Sequence, residues 1–434
     1  MSSFARRRHN RRTLLKSLAG VGLATGLAGY APDRSHAAQD AANLQFWDMV
    51  WGPPEYIDTN EALIAQFNEA IPAIQVEYRS TPWANWYQTF TTAIGAGSAP
   101  DVSTGAAYQA VQFYDQGAVA AVDELVAELE STGALDDFLP GTIERLRYDD
   151  HYVAVPWAID IRVLYYRRDL FEDAGVEPPT TWEDFAAAAA ALTTGEQQYG
   201  YVLSGAENGG VHHILAFCLN NGGGLFTPER AVNLMDERNV EALQLLADMV
   251  AAGSVHPASA GYTGDDALKA FSQGDAAMIL ATPGLEGRLP EIGEQIGVMQ
   301  PLTSPSGEQG TVSWVNNIML YEQSESKEQA MEFLACRLDN LPPLWTEGHV
   351  TQIPVRQSIA DDDYFADKEN IRFIIENWVP VGKSTGAQAE GIFPVLNEVE
   401  GEGVLQTLAQ DLLQGQPVQD AMQKANERLV SIVE

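Results

Sequence analysis

From residue 42 onward, apolar positions recur along the chain with two different periods. Leu44-Gln45-Phe46-Trp47-Asp48-Met49-Val50 is a short, nearly unbroken apolar run and predicts a buried strand. Leu63, Ile64, Phe67 and Ile71 then repeat at helical spacing, Pro72 closes that helix, and Ile74-Gln75-Val76-Glu77-Tyr78 alternates as a second strand. A helix is predicted over about 83–94. Gly95-Ala96-Gly97-Ser98-Ala99-Pro100 breaks it before a short strand at Asp101-Val102-Ser103. The order β-α-β-α-β belongs to an open, mostly parallel α/β sheet. Further strands are predicted at 151–156, 161–166 and 200–203, and further helices at 182–192, 240–252, 265–273, 327–338, 401–413 and 418–433. No repeat of fixed period and no long Gly/Ser/Pro linker interrupts this alternation. The 434 residues therefore read as two lobes joined by crossing segments rather than as domains on a string.

The first 37 residues follow a different logic. Arg6-Arg7-Arg8 and Arg11-Arg12-Thr13-Leu14-Leu15-Lys16 are followed by a mild Gly/Ala-rich apolar run over 18–31, then by Ser35-His36-Ala37-Ala38. A basic start, an apolar middle and a small-x-Ala end make a secretory signal with cleavage expected after Ala37. The run is too short to span a bilayer. Asn10-Arg11-Arg12-Thr13-Leu14-Leu15-Lys16 resembles the twin-arginine export signal, which implies the twin-arginine translocase as a partner during export. The first cysteine is Cys218, so the signal offers no cysteine for lipid attachment, and a soluble, unanchored periplasmic protein is expected.

Charge sharpens the picture. The chain carries 25 Lys+Arg against 60 Asp+Glu, a net charge of −35; beyond residue 37 the count is 18 against 59, or −41. Such an acidic surface argues against nucleic-acid binding, which needs cations for the phosphates. It also predicts adaptation to salt, because self-repulsion is screened over about 3 Å at 1 M. Cys218 and Cys336 have no CxxC or zinc-type spacing and are expected to remain thiols. The sequence contains no P-loop, HExxH or Gly-x-Ser-x-Gly, so no catalytic residue, metal ligand or cofactor is nominated.

Several segments then line up, in order, with a known family. They are Phe46-Trp47 with Phe67-Asn68; Ile94-Gly95-Ala96-Gly97-Ser98-Ala99-Pro100-Asp101-Val102; and Asp149 to Asp160 running into Leu164-Tyr165-Tyr166-Arg167-Arg168-Asp169-Leu170-Phe171. Pro178-Pro179-Thr180-Thr181-Trp182-Glu183-Asp184-Phe185, Ala270-Phe271-Ser272-Gln273-Gly274-Asp275 and Ser326-Lys327-Glu328-Gln329-Ala330 continue the series. Together they resemble the family 1 extracellular solute-binding proteins of carbohydrate ABC importers, the maltose-binding-protein-like group. The resemblance implies a two-lobed periplasmic-binding-protein fold of type II, with a ligand cleft between the lobes. Lobe one would hold 38–158 with 315–360 and lobe two 159–314 with 361–434. It also implies a small-molecule sugar and the permease subunits as partners, and a monomer is expected.

Within that frame the candidate ligand residues are Trp51, Tyr108, Gln109, Trp157, Asp160, Arg162, His212, Trp314 and Asn316. Indole faces pack on the C–H faces of a pyranose, while carboxylates, amides and guanidinium groups take its hydroxyls. Trp51 falls in a Gly/Pro loop just past a strand end. Trp157, Asp160 and Arg162 lie at the expected crossing between lobes, where the resemblance gives Asp160 an acidic sugar-binding position; a plain Asp160–Arg162 ion pair is the alternative. Tyr108 and Gln109 stand where the family places charged sugar ligands, without the charged pair itself. Trp314 and Asn316 lie where the chain should return to lobe one, and His212 reads as a polar cleft residue. By contrast, Trp86 and Phe90 sit at helical spacings and read as core, and the resemblance puts Trp182 in the family's Thr-Trp-x-x-Phe helix start, again as core. Two readings stay open beside a sugar receptor. One keeps the fold with a glycerol phosphate or a cationic osmolyte or polyamine as ligand; the other is an exported carbohydrate-active enzyme.

Overall fold

The computed structural model describes residues 41–83, 86–195, 197–389 and 391–434; the predicted export signal lies outside them. Three strands open the fold: β1 (Ala42–Met49), β2 (Ile74–Thr81) and β3 (Val102–Gly105). β1 lies between β2 and β3 and is parallel to both, as the β-α-β-α-β order requires. A small hairpin follows, β4 (Arg147–Tyr148) with β5 (His151–Tyr152). Its two-residue turn, Asp149-Asp150, has positive φ at both positions (49° and 66°), the backbone sign that tight hairpin turns favour.

The expected strand at 151–156 is therefore two strands. β5 stays in the hairpin, and β6 (Val155–Ile161) joins the large sheet. β7 (Val163–Arg167), β8 (Tyr199–Val202), β9 (Ala276–Ala281) and β10 (Ile296–Val298) build a second sheet in the order β10-β7-β9-β8. β11 (Thr311–Leu320), β12 (Ile353–Pro354) and β13 (Gly382–Lys383) return to the large sheet, whose order is β12-β6-β11-β3-β1-β2 with β13 paired to β11. The chain thus passes from one sheet to the other at Arg162 and is back by Thr311.

Both sheets are mixed rather than mostly parallel. β11 runs antiparallel to β3 and to β6, and β7 runs antiparallel to β9 and β10. The reason is that β11, buried at all ten positions, threads backwards through the middle of the large sheet. Its uninterrupted burial removes the polar–apolar alternation by which a strand is recognised.

Helices cover the sheets where the sequence places them. The helix Trp182–Ala191 starts where the Thr181 hydroxyl accepts from the Asp184 N–H at 3.1 Å, and its alanines favour helix. Gly264–Gln273 begins with a reciprocal Thr263/Asp266 capping box and stops at Gly274, φ 82°. The predicted helix over 401–413 is instead two, Val395–Gly401 and Val404–Leu413, parted by Gly403 at φ 73°. Trp182 and Phe90 are buried, as expected, whereas Trp86 is only partly so. Cys218 is buried in the helix Asn208–Asn220, and Cys336 is half-buried in Lys327–Asp339; no disulfide joins them. Among the described residues no helix is long and apolar enough to cross a membrane.

Candidate functional site

Where the chain leaves the large sheet, four of the nine candidate residues meet in one network. Arg162 donates from Nη1 to Asp160 Oδ1 at 2.5 Å and from Nε to His212 Nδ1 at 2.9 Å. Its guanidinium lies 4.9 Å from the Trp314 ring centroid, and the His212 ring meets the same indole edge-on at 5.2 Å. Desolvation and the adjacent Arg162 charge hold the His212 pKa well below the ordinary imidazole value. The imidazole is therefore neutral, with Nδ1 as acceptor. Strand pairing explains the meeting. Asp160 on β6 stands opposite Trp314 on β11, and Arg162 follows immediately after that strand ends at Ile161. The Arg162 carbonyl is in turn held by the Thr311 hydroxyl at 2.6 Å.

The network extends to a residue that sequence reasoning missed. Trp314 Nε1 donates to both oxygens of Glu400 at 3.1 Å, and the Thr385 hydroxyl also donates to Glu400. Burial pushes the Glu400 carboxyl up to about 7, outweighing those two donors and the Arg162 charge, which pull it down. Tyr108 joins through the same loop, its hydroxyl accepting from the Thr385 N–H at 2.9 Å. Glu400 sits at the end of Val395–Gly401, outside the helices the sequence predicts. Only its long-range contact with β11 marks it, and no local signal could have found it.

A second group is aromatic. Trp51 packs edge-on against Trp83 (4.8 Å) and Trp157 (5.2 Å), and Trp157 lies 6.0 Å from Trp345. Trp51, expected to meet a ligand from its Gly/Pro loop, is turned inward. Trp51 is only 3% exposed and its Nε1 is occupied by the Thr104 hydroxyl at 3.1 Å. That hydroxyl in turn donates to the buried Asp48 carboxylate at 2.7 Å. The indole that remains open is Trp83, at 38% the one exposed large hydrophobic side chain among the described residues; it is anchored by donation from Nε1 to the Val50 carbonyl at 2.6 Å. Trp157 owes its place to a break in register. Asn316 pairs with Ala158 but Asn317 pairs with Pro156, leaving Trp157 as the extra residue of a bulge.

Gln109 and Asn316 are buried as well. Gln109 Oε1 accepts from the Ala106 N–H at 2.6 Å. Gln109 Nε2, Asn316 Nδ2 and Trp157 Nε1 are buried donors with no acceptor among the described residues. Buried donors are nearly always paired in folded proteins, so each of the three is a point where a polar ligand atom or a water can be met. Indole faces, a carboxyl, a carboxylate, a guanidinium and unused amide donors together suit a small polyhydroxylated molecule. Among the described residues no cluster of three or more His, Cys, Asp or Glu could hold a metal ion.

The model of the bacterial extracellular solute-binding protein family matches residues 54–337. The chain is similar to the crystal structure of a sugar transporter from Arthrobacter chlorophenolicus with bound laminaribiose. Identity is 34%, the TM-score is 0.85, and the match covers 91% of this chain and 100% of that one. It shares its fold with maltose-bound MalE3 of T. maritima, at 22% identity and a TM-score of 0.74 over 90% of this chain and 99% of that one. It is 26% identical to the sn-glycerol-3-phosphate-binding periplasmic protein of Agrobacterium fabrum, over 69% of this chain and 70% of that protein.

Proposed function

The chain belongs to the bacterial extracellular solute-binding protein family. On that premise we propose that it is the extracytoplasmic receptor of an ABC importer, closing on a neutral sugar of one to three units or a glycoside. The observation that carries this reading is the contact network of Asp160, Arg162, His212, Trp314 and Glu400, which joins an indole platform to hydroxyl-binding groups at the crossing between sheets. The two lobes of this reading are 38–158 with 315–360 and 159–314 with 361–434, hinged near Arg162. The receptor is a monomer, exported through the twin-arginine route, free of a lipid anchor, and delivers its sugar unchanged to the permease.

A phosphate ligand, suggested by the Agrobacterium relative, suits the network less well. Arg162 is its single cation and already serves Asp160, while Glu400 adds a second carboxyl. A cationic osmolyte keeps some support from the same acidic groups and belongs in any ligand panel.

Isothermal titration of the chain against neutral mono-, di- and trisaccharides, glycerol 3-phosphate and polyamines tests the proposal. A neutral sugar is expected to bind at about −8 kcal/mol, the micromolar range. Trp314→Ala should cost at least about 2 kcal/mol of that, as for a buried aromatic anchor. Heat from glycerol 3-phosphate or a polyamine with silence from every neutral sugar would overturn the substrate class. Conversion of the bound sugar over a long incubation would overturn the receptor.

A further inference from the structure

Between β13 and the β4–β5 hairpin lies a cavity of about 720 Å³ that the candidate site does not use. Neighbours on a strand point to opposite faces, so Ser313 looks away from the Trp314 network, and it is Ser313 Oγ that meets this cavity's wall by accepting from Arg145 at 3.2 Å. Arg145, Arg147, Arg230 and Lys383 all line it. These are four of the 18 cations beyond residue 37 in a chain of net charge −35. Chance does not favour such a gathering on so acidic a protein.

Among the described residues the charges there are not all balanced. Arg147 pairs with Asp150 at 3.0 Å, and Lys383 lies 3.8 Å from Glu308. Glu144 and Asp149 also stand on the wall. Arg145 and Arg230, however, make no ion pair among the described residues. Arg145 is part-buried and spends its donors on neutral acceptors, the Ser313 hydroxyl and the Gly382 carbonyl, both at 3.2 Å. Burying a guanidinium without an anion is costly, and its planar fork matches an oxyanion. Arg230 holds a left-handed backbone, φ 67°, that a side chain rarely adopts, and its guanidinium lies 5.0 Å from the Phe393 ring centroid. That contact presents the cation at the cavity instead of letting it trail into solvent.

We propose that this cavity is a second binding site, for an oxyanion: the carboxylate of an acidic sugar or a free inorganic oxyanion, held by Arg145 and Arg230 with Lys383 and Arg147 around them. The site stands without the carbohydrate reading of the Trp314 network, and the two can fail separately.

The test is titration of the full chain at low salt with inorganic phosphate, glucuronate and glucose, repeated on Arg230→Gln and Lys383→Gln. Saturable phosphate binding supports a free oxyanion. Saturable glucuronate binding without phosphate binding supports a sugar-borne carboxylate. In either case Arg230→Gln is expected to weaken binding about tenfold, and added sodium chloride to weaken it further. Trp314→Ala should leave phosphate binding intact, and Arg230→Gln should leave the binding of a neutral sugar intact. Arg145→Gln removes a brace between β11 and β13 and can unfold the region, so the Arg230 and Lys383 variants decide. The proposal is overturned if neither anion saturates in the millimolar range, or if both variants bind the anions like the parent.

Discussion

Glu400 shows how one side chain couples the site to pH. Its carboxyl is raised from an ordinary value of 4.5 to about 7 because burial removes the water that would solvate its charge. Between those values the folded chain keeps a proton that the unfolded chain has lost. Stability attributable to Glu400 is therefore full below about 4.5 and is lost as pH rises through 7. The loss is at most about 3 kcal/mol at 1.36 kcal/mol per pKa unit. Urea unfolding of the parent and of Glu400→Gln at pH 5 and pH 8 should show the parent losing stability relative to the variant; equal slopes would remove Glu400 from this role. The buried Asp48 carboxyl is also raised by its desolvation and titrates in the same direction, so the difference between parent and variant, not the parent alone, is the measurement. Trp51 and Trp83 teach a related lesson. A Gly/Pro loop past a strand end does come to the aromatic cluster, but which of two neighbouring indoles stays open is decided by whether Thr104 or the Val50 carbonyl takes the indole N–H.

At the scale of elements, local chemistry and packing usually agree. Where helices carry a cap and a clean apolar face, as at Thr181 and Thr263, their positions follow from sequence. Gly200 on β8 marks the opposite case, a place where the partner decides. A Cβ there would stand 2.1 Å from the Ala189 carbonyl oxygen and 2.3 Å from its Cα, so β8 and the helix Trp182–Ala191 touch backbone to backbone. Because backbone cannot swing aside as a side chain can, Gly200→Ala should cost about 1–3 kcal/mol, read as a lower urea midpoint. An unchanged midpoint would show that the helix slides to make room. β11 hid for the converse reason: with every residue buried it has no solvent face and so no period. The bulge at Trp157 was equally silent, since register belongs to two strands at once.

Across the whole molecule the dominant force beyond packing is self-repulsion. With a net charge of −35, and −41 without the first 37 residues, the folded chain concentrates like charges that the unfolded chain can spread apart. Salt should relieve this, so the melting temperature is expected to rise between dilute buffer and 1 M salt, where the screening length falls to about 3 Å. Scanning calorimetry at several salt concentrations checks it, and a flat or falling profile would count against salt adaptation. The same field gives the cationic cavity its interest, because cations gathered against an acidic background carry a local preference that net charge conceals.

Composition, period and capping residues settled the α/β class, the opening β-α-β-α-β unit and most helices. Each of these depends on neighbours close in the chain, whose sterics and hydrophobic spacing a sequence states directly. Tertiary structure alone decided that β11 runs backwards through the large sheet, that Glu400 and Thr385 close the network around Trp314, and that four scattered cations share one wall. Those outcomes join residues up to hundreds of positions apart, and only the packing free energy of the complete fold chooses among the ways such distant segments could meet.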